Sequence, residues 1–295
     1  MSTCVMIDGE SVAESEATIS IFDRGFLYGD SVFETIRTYD GVPFALDEHL
    51  KRLERSAALV FIPLPVPLSQ LREEVLAAVR TAANSESYIR VMVTRGQAAQ
   101  MGLSPDLADV PRRIIIVMPL EPPSESAYRN GITVVSFRTQ RVTDATGAEG
   151  AKIGNYLVSV LAMREARKIG AAEAIIVDAR GRVVEGASSN VFMVQRGRLI
   201  TPPVEAGILP GITRARVLQA AQDLSIAVDL RAPKYADLLK ADEVFVSSSI
   251  RELLPVVRID SKQIAEGKPG PITRALHQRF EQLRQQSAVS PVSGP

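Results

Sequence analysis

The sequence predicts a mixed α/β (α+β) protein built as two domains. Strand-like and helix-like periods are mixed in both halves, a Pro- and Ser-rich stretch separates those halves, and 295 residues with 46% hydrophobic content suffice for two cores. In the first third, "ATISIFDR" and "SVFETIRTYDGVPFAL" place apolar residues at about every second position, and Asp40-Gly41 supplies a hairpin turn. "LDEHLKRLERSAALV" and "LSQLREEVLAAVRTAA" have helical spacing, with Asp47 and Ser69 as N-caps. "SYIRVMVTRG" and "RRIIIVMPL" are strands, and the unbroken apolar run of the second predicts burial on both faces. These elements make an N-terminal domain over 1–120.

"EPPSESAYRNG", residues 121–131, has the composition of a linker. A C-terminal domain follows over 132–287, opening with the strand "ITVVSFRT" and the helix "NYLVSVLAMREARKIG", closed by Gly170. "EAIIVDARGRVVEGASSNVFMVQRGRLITPP" holds two hairpins that turn at Arg180-Gly181 and Arg196-Gly197. "PGITRARVLQAAQDL" is a helix, "EVFVSSSIRELLPVVRID" supplies two strands, and "ITRALHQRFEQLRQQ" is the last helix. Residues 288–295 have the composition of a disordered tail.

Composition narrows the function. Thirty-four basic and thirty-four acidic residues balance without long runs of either sign, so neither a nucleic acid nor an anionic membrane is the expected partner. A small molecule is. The start resembles no signal peptide, no window approaches a membrane span, and Cys4 is the only cysteine, which together predict a cytoplasmic protein. With only His49 and His277, metal clusters and histidine-dependent triads lack their parts, and no metal is expected. Phosphate-loop and dinucleotide fingerprints are missing as well.

The chemistry is concentrated around "AEGAKIGNYLVSV", residues 148–160, where Lys152 sits among small and apolar neighbours. An ammonium there either hangs into water or is held for chemistry, because its desolvation is costly. Downstream, "VVEGASSNVF" sets Glu185 before Gly186, which allows a flat ligand close to the backbone. "ILPGITRARV" opens a helix whose first amides, Ile212 and Thr213, form a phosphate seat, and "FVSSSIREL" ends a strand in three hydroxyls.

These segments, with "FDRGFLYGDSVFETIR", "EHLKRLERSA", "YIRVMVTRG", "AKIGNYL", "LPGITR" and "DEVFVSSSIRELLPV", resemble the fold-type IV (class IV) pyridoxal-phosphate aminotransferases. That family includes branched-chain and D-amino acid aminotransferases and aminodeoxychorismate lyases, and the likeness runs from about residue 3 to residue 285. It implies a smaller N-terminal α/β domain, a larger C-terminal pseudo-barrel and a homodimer with active sites at the interface. Lys152 resembles the lysine that bonds the cofactor and shuttles the substrate proton, and Glu185 the carboxylate that pairs with the pyridine nitrogen. Tyr156 resembles the tyrosine on the phenolic oxygen, and Arg52 the phosphate-binding arginine, acting with Ile212, Thr213 and Ser249.

For the substrate, Tyr88 and Arg90 stand where branched-chain enzymes keep a tyrosine and an arginine, on one face of their strand. Tyr28 and Phe33 fall where that subfamily lines its side-chain pocket, and Tyr28 is expected to reach the partner's site. Two departures stand out: Thr35 replaces a usual glycine, and Ser248, Ser249, Ile250, Arg251 and Glu252 replace G-T-A-A-E. Ile250 and Arg251 are therefore substrate candidates, with Arg251 either reading an acidic group or pointing to solvent. "GQAAQMG", residues 96–102, lacks the arginine and histidine of the D-amino acid type. The implied reaction moves an amino group from a branched-chain or other aliphatic L-amino acid to 2-oxoglutarate by a ping-pong route. D-amino acid transamination, or release of pyruvate from aminodeoxychorismate, uses nearly the same residues.

Overall fold

The computed structural model describes residues 2–139 and 146–289, with side chains through residue 286. Its chain separates into two units: Met1–Glu121 with Ala151–Asn155, and Pro122–Gly150 with Tyr156–Pro295. Residues 151–155, which the sequence reading leaves inside the C-terminal domain, are held by the first unit.

The first unit contains β1 (Cys4–Ile7), β2 (Glu10–Val12), α1 (Arg24–Tyr28), β3 (Ser31–Tyr39), β4 (Val42–Pro43), α2 (Leu46–Leu59), α3 (Leu68–Ala82), β5 (Ser87–Thr94) and β6 (Arg112–Pro119). Its six strands form an antiparallel sheet in the order β2-β1-β6-β5-β3-β4. Asp40 and Gly41 both adopt positive φ, as the tight β3–β4 turn requires. On β5, Ser87, Ile89, Val91 and Val93 are buried while Tyr88, Arg90 and Met92 are half-buried. Ile89, Val91 and Val93 pack with Val32 and Ile36 against Leu50 and Leu53 of α2 and Leu71 and Val75 of α3. One face of the sheet is thus the core, and the other carries Phe33, Thr35, Tyr88 and Arg90, because Thr35 pairs with Arg90 and Phe33 with Met92.

Three local expectations are corrected. "ATISIFDR" makes no strand: Asp23 accepts the Gly25 amide at 2.7 Å and starts α1, which Gly29 ends in the left-handed conformation. Asp47 and Ser69 lie inside the first turns of α2 and α3, whose N-caps are Ala45 and Pro67; Asp47 instead accepts Arg72 Nε at 3.0 Å. β6 is not buried on both faces, since Met118 is 43% exposed on the side that α3 does not cover.

The second unit contains α4 (Glu125–Asn130), β7 (Ile132–Arg138), α5 (Leu157–Lys168), β8 (Glu173–Val177), β9 (Val183–Gly186), β10 (Asn190–Gln195), β11 (Arg198–Thr201), α6 (Ile212–Asp223), β12 (Val228–Leu230), α7 (Tyr235–Leu238), β13 (Glu243–Ser248), β14 (Glu252–Ile259), β15 (Lys262–Gln263) and α8 (Pro271–Val289). The stretch expected as a linker therefore contains the short helix α4, and α8 runs past the expected start of the tail; residues 290–295 of that tail lie outside the described residues. The nine-stranded sheet runs β12-β11-β10-β13-β14-β7-β8-β9, with β15 on β14. β14, β7 and β8 are mutually parallel neighbours, and α5 provides the crossover between β7 and β8. The Arg196-Gly197 turn joins β10 to β11, and Phe192 stacks on Phe245 across β10 and β13 with ring centroids 4.7 Å apart. Among the described residues no helix is long and apolar enough to cross a membrane.

Candidate active site

The lysine is positioned by backbone pairing. β4 bonds only to Thr38 and Tyr39, so the edge of β3 near Ser31 is open to another segment. Residues 152–154 take that edge: Phe33 N donates to Lys152 O at 3.0 Å, Gly154 N donates to Ser31 O at 2.7 Å, and Ile153 forms an antiparallel bridge with Val32. Ser56 of α2 accepts the Lys152 amide at 3.1 Å. A Cβ at Gly154 would lie 2.1 Å from Ser31 Oγ, so a larger residue there has to displace that hydroxyl.

Lys152 Nζ lies 4.6 Å from the centroid of the Phe33 ring, and Arg90 Cζ lies 3.8 Å from the same centroid. The ring holds both cations through its quadrupole, and at 2% exposure it gives them a dry support. Thr35 Oγ1 and Tyr88 Oη stand 3.5 Å apart on that face. Lys152, Phe33, Tyr88 and Arg90 are thus gathered together. Tyr28 ends α1 and lines a cavity of about 280 Å³ with Arg24, Asp30 and Asn155.

The opposite face of β3 holds a buried charge group that sequence reasoning missed. Glu34, fully buried, accepts Arg52 Nε and Nη2, each at 2.7 Å, and pairs with His49 Nδ1 at 2.7 Å. Burial pushes the Glu34 carboxyl up, but the Arg52 charge and the Arg52 and His49 hydrogen bonds outweigh it and hold its pKa down at about 2. Burial also depresses His49, against the pull of Glu34. Arg52, expected on the cofactor phosphate, is oriented by this carboxylate. A charged residue inside an otherwise apolar alternation, "SVFETI", is the signal that could have disclosed Glu34.

The second unit gathers the other expected residues around α6. Glu185 on β9 accepts the Leu209 amide at 3.1 Å, and Asn190 Nδ2 donates to Leu209 O at 2.9 Å. Gly211 is the N-cap of α6 and offers no side-chain acceptor, so the first-turn amides, including Ile212 and Thr213, are uncapped by their own helix. A Cβ on Gly211 would lie 2.0 Å from Asn190 Oδ1, which keeps this entry close to β10. Opposite Asn190 in the sheet, Ser247 Oγ is buried with no hydrogen-bond partner among the described residues. Ser249 and Ile250 are half-buried in the β13–β14 turn, and Tyr156 is half-buried at the start of α5. Arg251 is held in place rather than free in solvent: its Nη1 donates to the buried Glu173 carboxylate and, at 3.1 Å, to Ser188 Oγ.

These groups fit pyridoxal phosphate by chemistry. Uncapped helix amides and an orphaned buried hydroxyl suit a phosphate, a carboxylate suits a protonated ring nitrogen, and a lysine amine suits an aldehyde. Comparison with known proteins agrees. Residues 31–259 match the amino-transferase class IV family. A putative branched-chain-amino-acid aminotransferase of Methanocaldococcus jannaschii is 38% identical, over 95% of this chain and 96% of its own. A D-alanine aminotransferase of Bacillus licheniformis is 34% identical, over 92% and 93%. The solved branched-chain amino acid aminotransferase of Escherichia coli superposes with a TM-score of 0.88 at 34% identity, over 95% of this chain and 94% of its own. A solved T.th. branched-chain amino acid aminotransferase with pyridoxamine 5'-phosphate also superposes with a TM-score of 0.88, at 31% identity, over 95% and 93%.

Proposed function

The chain belongs to the amino-transferase class IV family and is a fold-type IV, pyridoxal-phosphate-dependent transaminase, and we propose that its amino donors are branched-chain and other aliphatic L-amino acids, with 2-oxoglutarate as acceptor. The observation that carries the substrate class is the likeness to branched-chain aminotransferases over nearly the whole chain. At the site the buried Phe33 ring backs Lys152 Nζ at 4.6 Å and Arg90 Cζ at 3.8 Å, which sets a cation suited to the substrate carboxylate beside the amine. The branched-chain relatives favour the same class.

The cofactor, when bound, supplies an aldehyde for condensation with amines and a ring that takes up electrons from substrate Cα. Lys152 Nζ would condense with that aldehyde, the substrate amine would displace it, and the freed amine would take the proton from substrate Cα and deliver it to the former aldehyde carbon. Glu185 keeps the ring nitrogen protonated, and Tyr156 donates to the phenolic oxygen. Arg52, the Ile212 and Thr213 amides and Ser249 hold the phosphate. Tyr28, Phe33, Tyr88 and Arg90, with Ser249 and Ile250, enclose the substrate. The first unit, which includes Lys152 in residues 151–155, serves as the small domain, and the second as the larger domain that supplies the other cofactor contacts except Arg52. A homodimer is supported by α5, where Leu157, Val160 and Leu161, at helical spacing, are 64%, 60% and 42% exposed. The balanced charge and single, buried cysteine support the cytoplasm as its location.

The test is the cofactor-loaded protein given L-leucine and 2-oxoglutarate. Formation of 4-methyl-2-oxopentanoate with glutamate is the expected result. Conversion of D-alanine with L-leucine inert would move the substrate to D-amino acids, and pyruvate released from aminodeoxychorismate alone would make it a lyase.

A further inference from the structure

Glu173 opens β8, the strand next to the edge of the second sheet, between β7 and β9, and its carboxylate is fully buried. It accepts Arg251 Nη1, Ser188 Oγ at 2.8 Å, Ser189 Oγ at 3.2 Å and the Ala174 amide at 2.9 Å. Three separate pieces of chain therefore meet on one charge: the start of β8, the turn 187–189 and the turn 249–251. The first of those turns follows Glu185 directly, and the second contains Ser249 and Ile250.

Each turn is also braced on its own side. Gly186 leaves room for the Ser189 hydroxyl, which a Cβ would meet at 2.1 Å, and that hydroxyl donates to the carboxylate at 3.2 Å. The Arg251 amide donates to Ser248 Oγ at 3.2 Å, and Tyr128 Oη donates to Arg251 O at 3.2 Å. The Arg251 side chain is 25% exposed while its partner is sealed, so the guanidinium closes the carboxylate from solvent. Without this cation the buried charge keeps only the Ser188, Ser189 and Ala174 donors, and the 249–251 turn loses its anchor to the other two pieces.

We propose that Arg251 is a positioning residue: its pair with Glu173 locks the turn carrying Ser249 and Ile250 to the turn after Glu185, and it does not read the substrate's side chain. This rests on the cofactor-binding reading of those turns. The lock joins the turn carrying Ser249 to the turn that follows Glu185, so loosening it weakens cofactor binding whatever the substrate's charge, whereas a substrate reader would discriminate by that charge.

The experiment titrates apoprotein with pyridoxal phosphate by fluorescence for the native chain, Arg251→Ala, Arg251→Lys and Glu173→Gln, and measures the kcat/KM ratio for L-leucine over L-glutamate. Arg251→Ala and Glu173→Gln should each raise the dissociation constant roughly tenfold, the weight of one charge-assisted hydrogen bond. Arg251→Lys should fall between them and the native chain, and the leucine-to-glutamate ratio should stay within about twofold. Native cofactor affinity in Arg251→Ala, or a leucine-to-glutamate ratio moved about tenfold or more, would overturn the proposal. If the native chain transaminates neither amino acid, the proposed substrate class fails, while the titration still decides the lock.

Discussion

Replacing Glu34 by Gln is the sharpest perturbation of the first unit. The substitution keeps the side-chain shape and removes the charge that faces Arg52, leaving a guanidinium only 5% exposed without its carboxylate. The pKa of Glu34 falls from an ordinary 4.5 to about 2, and at about 1.4 kcal/mol per pH unit this difference amounts to roughly 3 kcal/mol of folding stability. Removing one partner of a buried pair costs a similar amount, about 3–5 kcal/mol. Because the folded pKa is depressed, the stabilisation is complete above the unfolded value of 4.5 and is lost as pH falls toward 2. Urea unfolding at pH 7 should therefore show Glu34→Gln about 3 kcal/mol less stable than the native protein, with the gap narrowing at pH 4 and again at pH 3. A gap below about 1 kcal/mol at pH 7, or one constant across that range, would refute the reasoning.

Gly154→Ala forces a methyl against Ser31 Oγ, 2.1 Å from the ideal Cβ position; it should cost about 1–3 kcal/mol and slow turnover by displacing Lys152, and adding Ser31→Ala should restore both. Persistence of the defect in the double variant would show that the close approach to Ser31 is not what places the lysine. Leu157→Asp with Val160→Asp puts charges into the apolar stripe of α5, and light scattering should report a dimer turned monomer; an unchanged mass would remove α5 from the interface.

Much of the fold is written in local signals. Asp40-Gly41 and Arg196-Gly197 take the positive φ that two-residue hairpins need, and Gly170 turns left-handed after α5 as a helix-ending glycine should. The helix starts were harder, because Asp47 prefers Arg72, a partner in α3 that no local pattern discloses. "ATISIFDR" alternates like a strand, yet the Asp23 cap and Gly29 stop exert more control over the chain than alternation without a neighbouring strand.

The site divides in the same way. As residue types in small-residue surroundings, Lys152, Glu185 and the Gly211 helix entry stand out in the sequence as candidates. Their supports do not, because each is a long-range contact: Lys152 is aligned by β3, Arg52 by Glu34, and Arg251 by Glu173. Arg251 is the instructive case, since a cation in a candidate binding turn suggests an anionic ligand until the buried carboxylate beside it is seen. Glu173 itself sits in "EAIIVD", where a strand-opening glutamate ordinarily faces water.

The most direct test of the account is reductive trapping of the bound cofactor with borohydride, followed by peptide mass mapping. Modification confined to the peptide containing Lys152, and its loss in Lys152→Ala but not in Lys168→Ala, is the predicted result; Lys168 lies exposed on α5, paired with Glu165. Modification of another lysine in the native protein, or none after saturation with pyridoxal phosphate, would contradict the assignment of Lys152 as the reacting amine.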